Sequence, residues 1–181
     1  MDFLIILGSR NPEGQTAQAA GALRNGVEQA GGRAASVYLP ELRLERCRQC
    51  GIDGWGTCLT TGRCSVEDDL ASVVESISRA KATVFATPVY FGDVSESMSA
   101  LLNRIRRTCI HEAGRARING RTAIGICVAG GGGGGAPYCA YRLERLLAGC
   151  GFQVADTIPI RRQNLEQKLP ALEALGRSLM P

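Results

Sequence analysis

The chain has 181 residues, of which 45% are hydrophobic and 21% are charged, and its formal net charge is +4. This length is sufficient for one domain with a buried core, and the composition excludes a disordered chain. The small positive charge does not indicate a nucleic-acid-binding protein, and no apolar run approaches the roughly 20 residues that span a bilayer.

Short apolar runs alternate with amphipathic segments along the chain. The apolar runs predict strands over residues 3–7, 33–39, 83–87, 122–129 and 152–158. The amphipathic segments predict helices over residues 16–30, 68–79, 95–108, 138–148 and 165–179. Strands that alternate with helices predict a parallel sheet, and the continuous apolar character of the strands indicates that helices cover both of its faces.

The apolar start of the chain, residues 3–7, is too short for a secretory signal and follows an acidic residue. We therefore expect a cytoplasmic protein, in which cysteine thiols stay reduced. We also expect residues 1–181 to form a single domain that associates with neither membranes nor nucleic acid.

Three of the predicted strands end in unusual loops, at the sheet edge where α/β proteins bind ligands. The first loop, residues 8–16, combines hydroxyl groups and glycines with the start of a helix, which is typical of a phosphate site. It lacks both the Gly-Lys-Ser/Thr ending of nucleotide-binding loops and the Gly-x-Gly-x-x-Gly turn. The alternative is an ordinary helix start in which Thr16 caps its own helix.

The second and third loops are poor in polar side chains. Residues 87–92 contain a proline, two aromatic residues and a glycine, which can flank a flat ring and offer it backbone N–H groups. The alternative is a packed turn with core aromatics. Residues 130–135 are six consecutive glycines, whose backbone can approach a ligand closely. A flexible connector alone explains this glycine loop poorly.

The order of these motifs resembles the flavodoxin-like NAD(P)H-dependent FMN reductase family. The motifs are Gly8-Ser9, Gly14-Gln15-Thr16, Asp68-Asp69, Ala86-Thr-Pro-Val-Tyr90, Asn103-Arg104 and the glycine loop. The resemblance is strongest to the cysteine-bearing branch of the family, which is related to the iron-sulfur flavoproteins. It implies an α/β, flavodoxin-like three-layer sandwich with a five-stranded parallel sheet of order 2-1-3-4-5. It also implies bound FMN, NAD(P)H as co-substrate, and a homodimer or homotetramer.

The same resemblance implies which residues hold the FMN. The phosphate is expected at the first loop, at Ser9, Gly14, Gln15 and Thr16, with Arg10 and Asn11 beside them. The flavin ring is expected against Pro88, Val89, Tyr90, Phe91 and Gly92, and its pyrimidine edge against Ala129, Gly130, Gly131, Gly132 and Gly133. No catalytic acid or base is assigned, because transfer of a hydride to flavin requires none. The single histidine, His111, is expected to be a surface or core residue.

Half of the eight cysteines fall within one glycine-rich segment, a predicted loop over residues 40–66. They are separated by gaps of two, seven and five residues, and they are Cys47, Cys50, Cys58 and Cys64. An iron-sulfur cluster, a zinc ion, a disulfide and free thiols are the alternatives. Zinc sites usually contain two close cysteine pairs, whereas a cluster needs four thiolates on a flexible loop. The resemblance implies a [4Fe-4S] cluster at these four cysteines.

The most basic stretch of the chain contains six arginines, namely Arg104, Arg106, Arg107, Arg115, Arg117 and Arg121. They suit the phosphates of NAD(P)H or an acidic redox protein, but we favour a solvated helix face and loop. Nucleic-acid binding lacks any supporting motif.

The sequence therefore predicts an FMN-dependent oxidoreductase that receives electrons from NAD(P)H or from a redox protein partner. One alternative is an electron-transfer module with flavin and a cluster but no dedicated small substrate. A second alternative is a regulatory protein of flavodoxin fold without flavin.

Overall fold

A computed structural model describes residues 2–180 of the protein. It contains one five-stranded sheet of order β2-β1-β3-β4-β5, in which all neighbouring strands are parallel. The strands are β1 (Phe3–Leu7), β2 (Ala34–Tyr38), β3 (Ala82–Pro88), β4 (Thr122–Ala129) and β5 (Gln153–Arg161). The predicted fold class and strand order are thus confirmed.

Five long helices occur where the sequence predicts them, with ends that differ by at most two residues. Two further helices, of five and four residues, were not predicted. In chain order the helices are α1 (Gln15–Gln29), α2 (Thr57–Thr61), α3 (Leu70–Arg79), α4 (Glu96–Cys109), α5 (Glu112–Arg115), α6 (Ala136–Gly149) and α7 (Leu165–Ser178). No helix within residues 2–180 combines the length and the apolar character that crossing a bilayer requires.

Helices cover both faces of the sheet, as the apolar strands predicted. Alternate residues of a strand point to opposite faces, so β1 contributes to two cores. Phe3, Ile5 and Leu7 pack with α1 and α7 on one face, whereas Leu4 and Ile6 pack with α3, α4 and α6 on the other.

The strand order places the candidate site. The chain passes from β1 to β2 on one side and then returns to build β3, β4 and β5 on the other side of β1. This reversal between β1 and β3 is the switch point at which open α/β sheets bind ligands beyond the carboxyl ends of their strands. The loops after β1, β3 and β4 therefore lie next to one another at this edge.

Candidate functional site

The start of α1 presents free backbone N–H groups at the end of β1. Gly14 is the N-cap residue, and no side chain caps the helix. Within the described part of the chain, the first helix N–H with an acceptor is that of Gln18, which donates to Gly14 O at 2.9 Å. The N–H groups of Gln15, Thr16 and Ala17 are therefore available to an anion, which the helix dipole also attracts.

The alternative role of Thr16 as the cap of its own helix is wrong. The helix begins one residue earlier, and the Thr16 side chain is buried in its first turn. The loop before it is folded by Asn11, whose Oδ1 accepts a hydrogen bond from Glu13 N at 3.0 Å. This fold of the loop leaves the helix start open at its tip.

Of the polar side chains in this loop, Arg10 and Ser9 differ in what they contact. Arg10 is exposed and donates to Pro40 O at 3.3 Å, at the start of the cysteine segment. Ser9 is half-buried and directly follows the buried Gly8. The structure thus places Ser9 beside the end of β1, whereas the Arg10 side chain turns toward the neighbouring loop.

A tight turn follows β3. Tyr90 and Asp93 exchange backbone hydrogen bonds of 3.0 and 2.9 Å, and between them Phe91 and Gly92 have φ angles of +52° and +80°. Positive φ at both central residues is the signature of a type I′ turn, and it strains Phe91 because that residue carries a Cβ. We call residues 90–93 the aromatic turn.

The aromatic side chains of this turn point outward. Phe91 is fully exposed and Tyr90 is about half exposed, so the alternative of a turn packed around core aromatics is wrong. Within residues 2–180 the N–H groups of Phe91 and Gly92 donate no hydrogen bond. The aromatic turn therefore offers both aromatic surface and free backbone donors to a ligand.

The glycine loop lies between the first loop and the aromatic turn. It closes on itself through a hydrogen bond of 2.8 Å from Gly133 N to Gly130 O. Gly135 has φ of +80°, and a Cβ there would lie 2.8 Å from Gly92 Cα, so only glycine allows this close approach. At its other end, a Cβ on Gly130 would lie 3.8 Å from the Gln15 side chain.

The first loop also meets the segment that follows the aromatic turn. A Cβ on Gly8 would collide with Ser95 Oγ, and Ser97 Oγ donates to Gly8 O at 3.4 Å. Ser95 is the N-cap of α4, and its backbone N–H donates to Thr87 Oγ1 at 3.0 Å. The structure therefore brings together the three loops that sequence analysis singled out, into one surface at the carboxyl edge of the sheet.

The four clustered cysteines lie on the segment over residues 40–66, whose middle contains only the short helix α2. All four are half-buried free thiols, and all four line one small cavity of about 20 Å³ beneath the segment. Arg104 and Arg107 of α4 line the same cavity. We call this space the cysteine cavity.

Zinc and a four-iron cluster need different arrangements of their thiolates. Within residues 2–180, no three Cys, His, Asp or Glu side chains are arranged around a single metal position. A zinc ion requires its thiolates to converge at about 2.3 Å from one point. A four-iron cluster takes one thiolate at each iron, so its ligands stand apart around a larger body. Four cysteine thiols are the donor set that a four-iron cluster uses.

Arginines tie the cysteine segment to the rest of the molecule. Arg107 donates to Gly54 O, and its guanidinium lies 4.0 Å from the ring centre of Trp55. Arg117 donates to Gly62 O. Four arginines of the basic stretch are buried or half-buried, and only Arg106 and Arg115 are exposed. The preferred interpretation of the stretch as a solvated face is therefore wrong for most of its members.

The ion pair of Arg104 with Asp68 is the most buried polar contact near the site, with side chains 1% and 0% exposed. Burial disfavours both charges, but their mutual hydrogen bonds hold the pKa of Asp68 below its ordinary value. The same bonds and the neighbouring Cys64 thiol raise the pKa of Arg104. Sequence analysis did not assign this pair, although Arg104 shares the apolar stripe of α4 with Leu101 and Ile105. A cation on a core-facing stripe requires a buried acidic partner.

These features define a flavodoxin-like α/β protein with an open helix start and side-chain-poor loops at one sheet edge. The sequence model of the NADPH-dependent FMN reductase family matches residues 1–161, and the chain belongs to this family. The family is the one that the sequence motifs resemble, so that prediction is confirmed.

Curated relatives point to the same branch of the family. The chain is 28% identical over 131 residues to an iron-sulfur flavoprotein of Methanocaldococcus jannaschii, a match that covers 72% of this chain and 65% of the relative. It is 31% identical over 143 residues to an iron-sulfur flavoprotein of Archaeoglobus fulgidus, covering 79% and 66%. In both cases the chain spans just under two thirds of the relative's own length.

Solved structures confirm the fold. An NAD(P)H:quinone oxidoreductase from Methanothermobacter marburgensis superposes with a TM-score of 0.71 at 19% identity, covering 100% of this chain and 96% of that one. A flavodoxin from the domain Archaea superposes with a TM-score of 0.63 at 12% identity, covering 99% and 96%. At these identities the likeness concerns the fold alone.

Proposed function

We propose that this protein is an FMN-dependent oxidoreductase whose flavin lies across the three loops at the carboxyl edge of the sheet. The family supports this class of enzyme. The observation that carries the proposal is the contact of Gly135 with Gly92, which aligns the side-chain-free glycine loop with the free N–H groups of the aromatic turn. Together with the open start of α1, this surface fits a phosphate at one end and a flat ring at the other.

Different loops of the chain would bind different parts of FMN. The N–H groups of Gln15, Thr16 and Ala17 would receive the phosphate, with Ser9 beside them. The N–H groups of Phe91 and Gly92 would bond the edge of the ring, and the backbone from Ala129 to Gly133 would border its pyrimidine side. These donors would favour negative charge on the ring. The bound flavin would supply the hydride and electron chemistry, which needs no acid or base from the protein.

The test of this proposal is flavin retention followed by turnover. Purified protein is incubated with FMN, desalted and examined by visible absorption. We expect one FMN per chain and oxidation of NADPH or NADH in the presence of a quinone. A protein that leaves the column colourless would contradict the proposal. A protein that keeps FMN but oxidises neither nucleotide would favour the alternative of an electron-transfer module served by a redox protein.

We also propose that the cysteine cavity holds a [4Fe-4S] cluster through Cys47, Cys50, Cys58 and Cys64. Two observations support it: the four thiols line one cavity, and curated relatives are named iron-sulfur flavoproteins. Iron and acid-labile sulfide are measured on anaerobically prepared protein. We expect about four of each per chain. Absence of both would leave the four residues as thiols.

A matched pair of variants assigns the iron to this cavity. Cys58→Ala removes a thiol of the cavity, whereas Cys109→Ala removes a buried thiol on the core side of α4. We expect the first variant to lose iron and the second to keep it. Equal iron in the two variants would place the metal elsewhere.

We further propose association into a homodimer or homotetramer. Large apolar side chains lie exposed around the aromatic turn, including Tyr90, Phe91, Tyr138 and Tyr141. Aromatic residues are enriched at the centres of protein interfaces, and their exposure together on one surface supports a covering partner.

A further inference from the structure

The cysteine cavity has a cationic floor whose hydrogen-bonding capacity is only partly used. One terminal nitrogen of Arg104 donates a hydrogen bond to Glu45 O at 3.0 Å. The guanidinium group also donates to both carboxylate oxygens of Asp68. Its Nε atom, although buried, has no hydrogen-bond partner within the described residues. A buried donor without a partner costs free energy, so such an atom in a native protein calls for an explanation.

Arg107 repeats the pattern one helical turn further along α4. It also lines the cysteine cavity, and its Nε atom is likewise buried without a partner among residues 2–180. Residues three apart lie on the same face of a helix, so both guanidinium groups meet the cavity together. Arg106, between them, is exposed and does not line the cysteine cavity.

The two guanidinium groups on the cavity floor differ in their charge partners. The carboxylate of Asp68 balances Arg104, whereas the Arg107 guanidinium, which contacts the Gly54 carbonyl and the Trp55 ring, forms no salt bridge among residues 2–180. Four neutral thiols, or two disulfides, would leave a cation and two N–H donors facing uncharged sulfur. A tetrathiolate iron-sulfur centre is an anion with sulfur acceptors, and it would satisfy both the charge and the donors.

We propose that Arg104 and Arg107 are positioning and tuning residues for the cluster, with their Nε–H groups donating to its sulfur atoms. This inference rests on the proposed cluster in the cysteine cavity. Hydrogen bonds to sulfur and nearby positive charge stabilise the more negative, reduced state of an iron-sulfur centre. The two arginines therefore raise its reduction potential above that of the same centre on an uncharged floor.

The test is a redox titration of the iron-sulfur signal by electron paramagnetic resonance, on anaerobically prepared holoprotein. Arg104→Lys keeps the cation beside Asp68 but has no donor at the Nε position. Arg107→Gln removes the second cation without touching the ion pair, so it serves if Arg104→Lys fails to fold. Arg106→Gln is the control, because it removes the same charge from the exposed face of the same helix.

We expect each cavity variant to keep its iron and to shift the equilibrium toward the oxidised state by about tenfold, which is about 59 mV for one electron. The control should titrate like the wild type. Cavity variants with normal iron content and the potential of the control would overturn the inference. A wild-type protein without iron and sulfide would instead remove the proposed cluster itself, and this is visible before any variant is compared.

Discussion

The carboxylate of Asp68 joins three parts of the molecule at one residue. It pairs with Arg104 of α4, accepts a hydrogen bond from Glu45 N at 2.8 Å, and accepts another from Leu70 N at 3.2 Å. The cysteine segment, the start of α3 and the middle of α4 are thereby fixed to one another. The buried Asp68 carboxylate accepts hydrogen bonds from four donors. Its removal should lower the free energy of unfolding considerably, because each donor then needs a new acceptor.

Replacing this carboxylate should therefore destabilise the protein strongly. Asp68→Asn leaves the Arg104 cation buried without an opposite charge, and we expect a loss of about 3–5 kcal/mol in the free energy of unfolding. Glu75→Gln breaks the exposed ion pair of Glu75 with Arg79 and should cost less than about 1 kcal/mol. Urea unfolding of the two variants makes the comparison. Similar small effects would contradict the assigned role of Asp68.

The same ion pair predicts how stability depends on pH. Burial raises the pKa of the Asp68 carboxyl, but the hydrogen bonds from Arg104 and the backbone lower it by more. The pKa of Asp68 in the folded protein therefore lies below 3.8. The stabilisation is therefore complete above the unfolded pKa and is lost as pH falls through the lower folded pKa.

We accordingly expect the stability difference between the wild type and Asp68→Asn to shrink as pH falls from about 5 toward 2. Urea titrations across this range, on chelator-treated protein, separate the effect from acid release of a metal. A difference that stayed constant with pH would show that the carboxylate acts through its shape and not its charge.

At the scale of the elements, the glycine loop offers a sharp test of the flavin site. Gly135→Ala would place a Cβ against Gly92 at a φ of +80°, which costs about 1–2 kcal/mol and pushes the loop from the aromatic turn. Gly134, the neighbouring glycine outside the residues assigned to the flavin, is exposed with open space around its Cα and no positive φ, so Gly134→Ala should be neutral.

We expect FMN to dissociate at least about tenfold more readily from Gly135→Ala than from the wild type, in proportion to the strain. Gly134→Ala should bind like the wild type. Fluorescence titration of the free flavin measures both constants. Equal affinity in the two variants would mean that the contact between the glycine loop and the aromatic turn does not shape the flavin site.

The elements that could be predicted are those with a strong local pattern. The strand over residues 3–7 and the strand over 122–129 are continuous apolar runs, and their ends agree with the structure. Strand β5 runs three residues further than predicted, to Arg161, past Pro159; at the edge of the sheet a proline costs no hydrogen bond on its open side. Helices α2 and α5 are too short to carry a helical period, and only tertiary contacts hold them.

The candidate site divides in the same way. Each of the three loops follows a recognisable strand, so its position at one edge could be inferred from chain order. The pairing of Arg104 with Asp68 links residues that are far apart in the sequence. The cysteine cavity, which Arg104 lines, forms only because the cysteine segment folds back over α4. Such non-local contacts have no signature in a local pattern, apart from a cation on an apolar stripe.

At the scale of the whole molecule, one surface remains to be covered. Tyr138 lies against the aromatic turn, since a Cβ on Gly92 would come within 3.3 Å of its ring. Arg142 reaches the turn through an ion pair of 3.0 Å with Asp93. Helix α6 and the aromatic turn thus form one continuous surface with exposed aromatic rings, beside the proposed flavin ring. A second copy of the chain on this surface would exclude water from the flavin.

This arrangement predicts that assembly of the protein depends on the side chain of Phe91. Phe91 is fully exposed and strained, so its side chain adds nothing to the packing of a single chain. We expect Phe91→Ser to shift the mass measured by light scattering from an oligomer toward a monomer, with little change in unfolding midpoint. Ile110→Ser, at an exposed apolar position after α4, should keep the oligomer. A wild-type protein that is monomeric at all concentrations would contradict the proposed assembly, and an oligomer that survives Phe91→Ser would place its interface away from the aromatic turn.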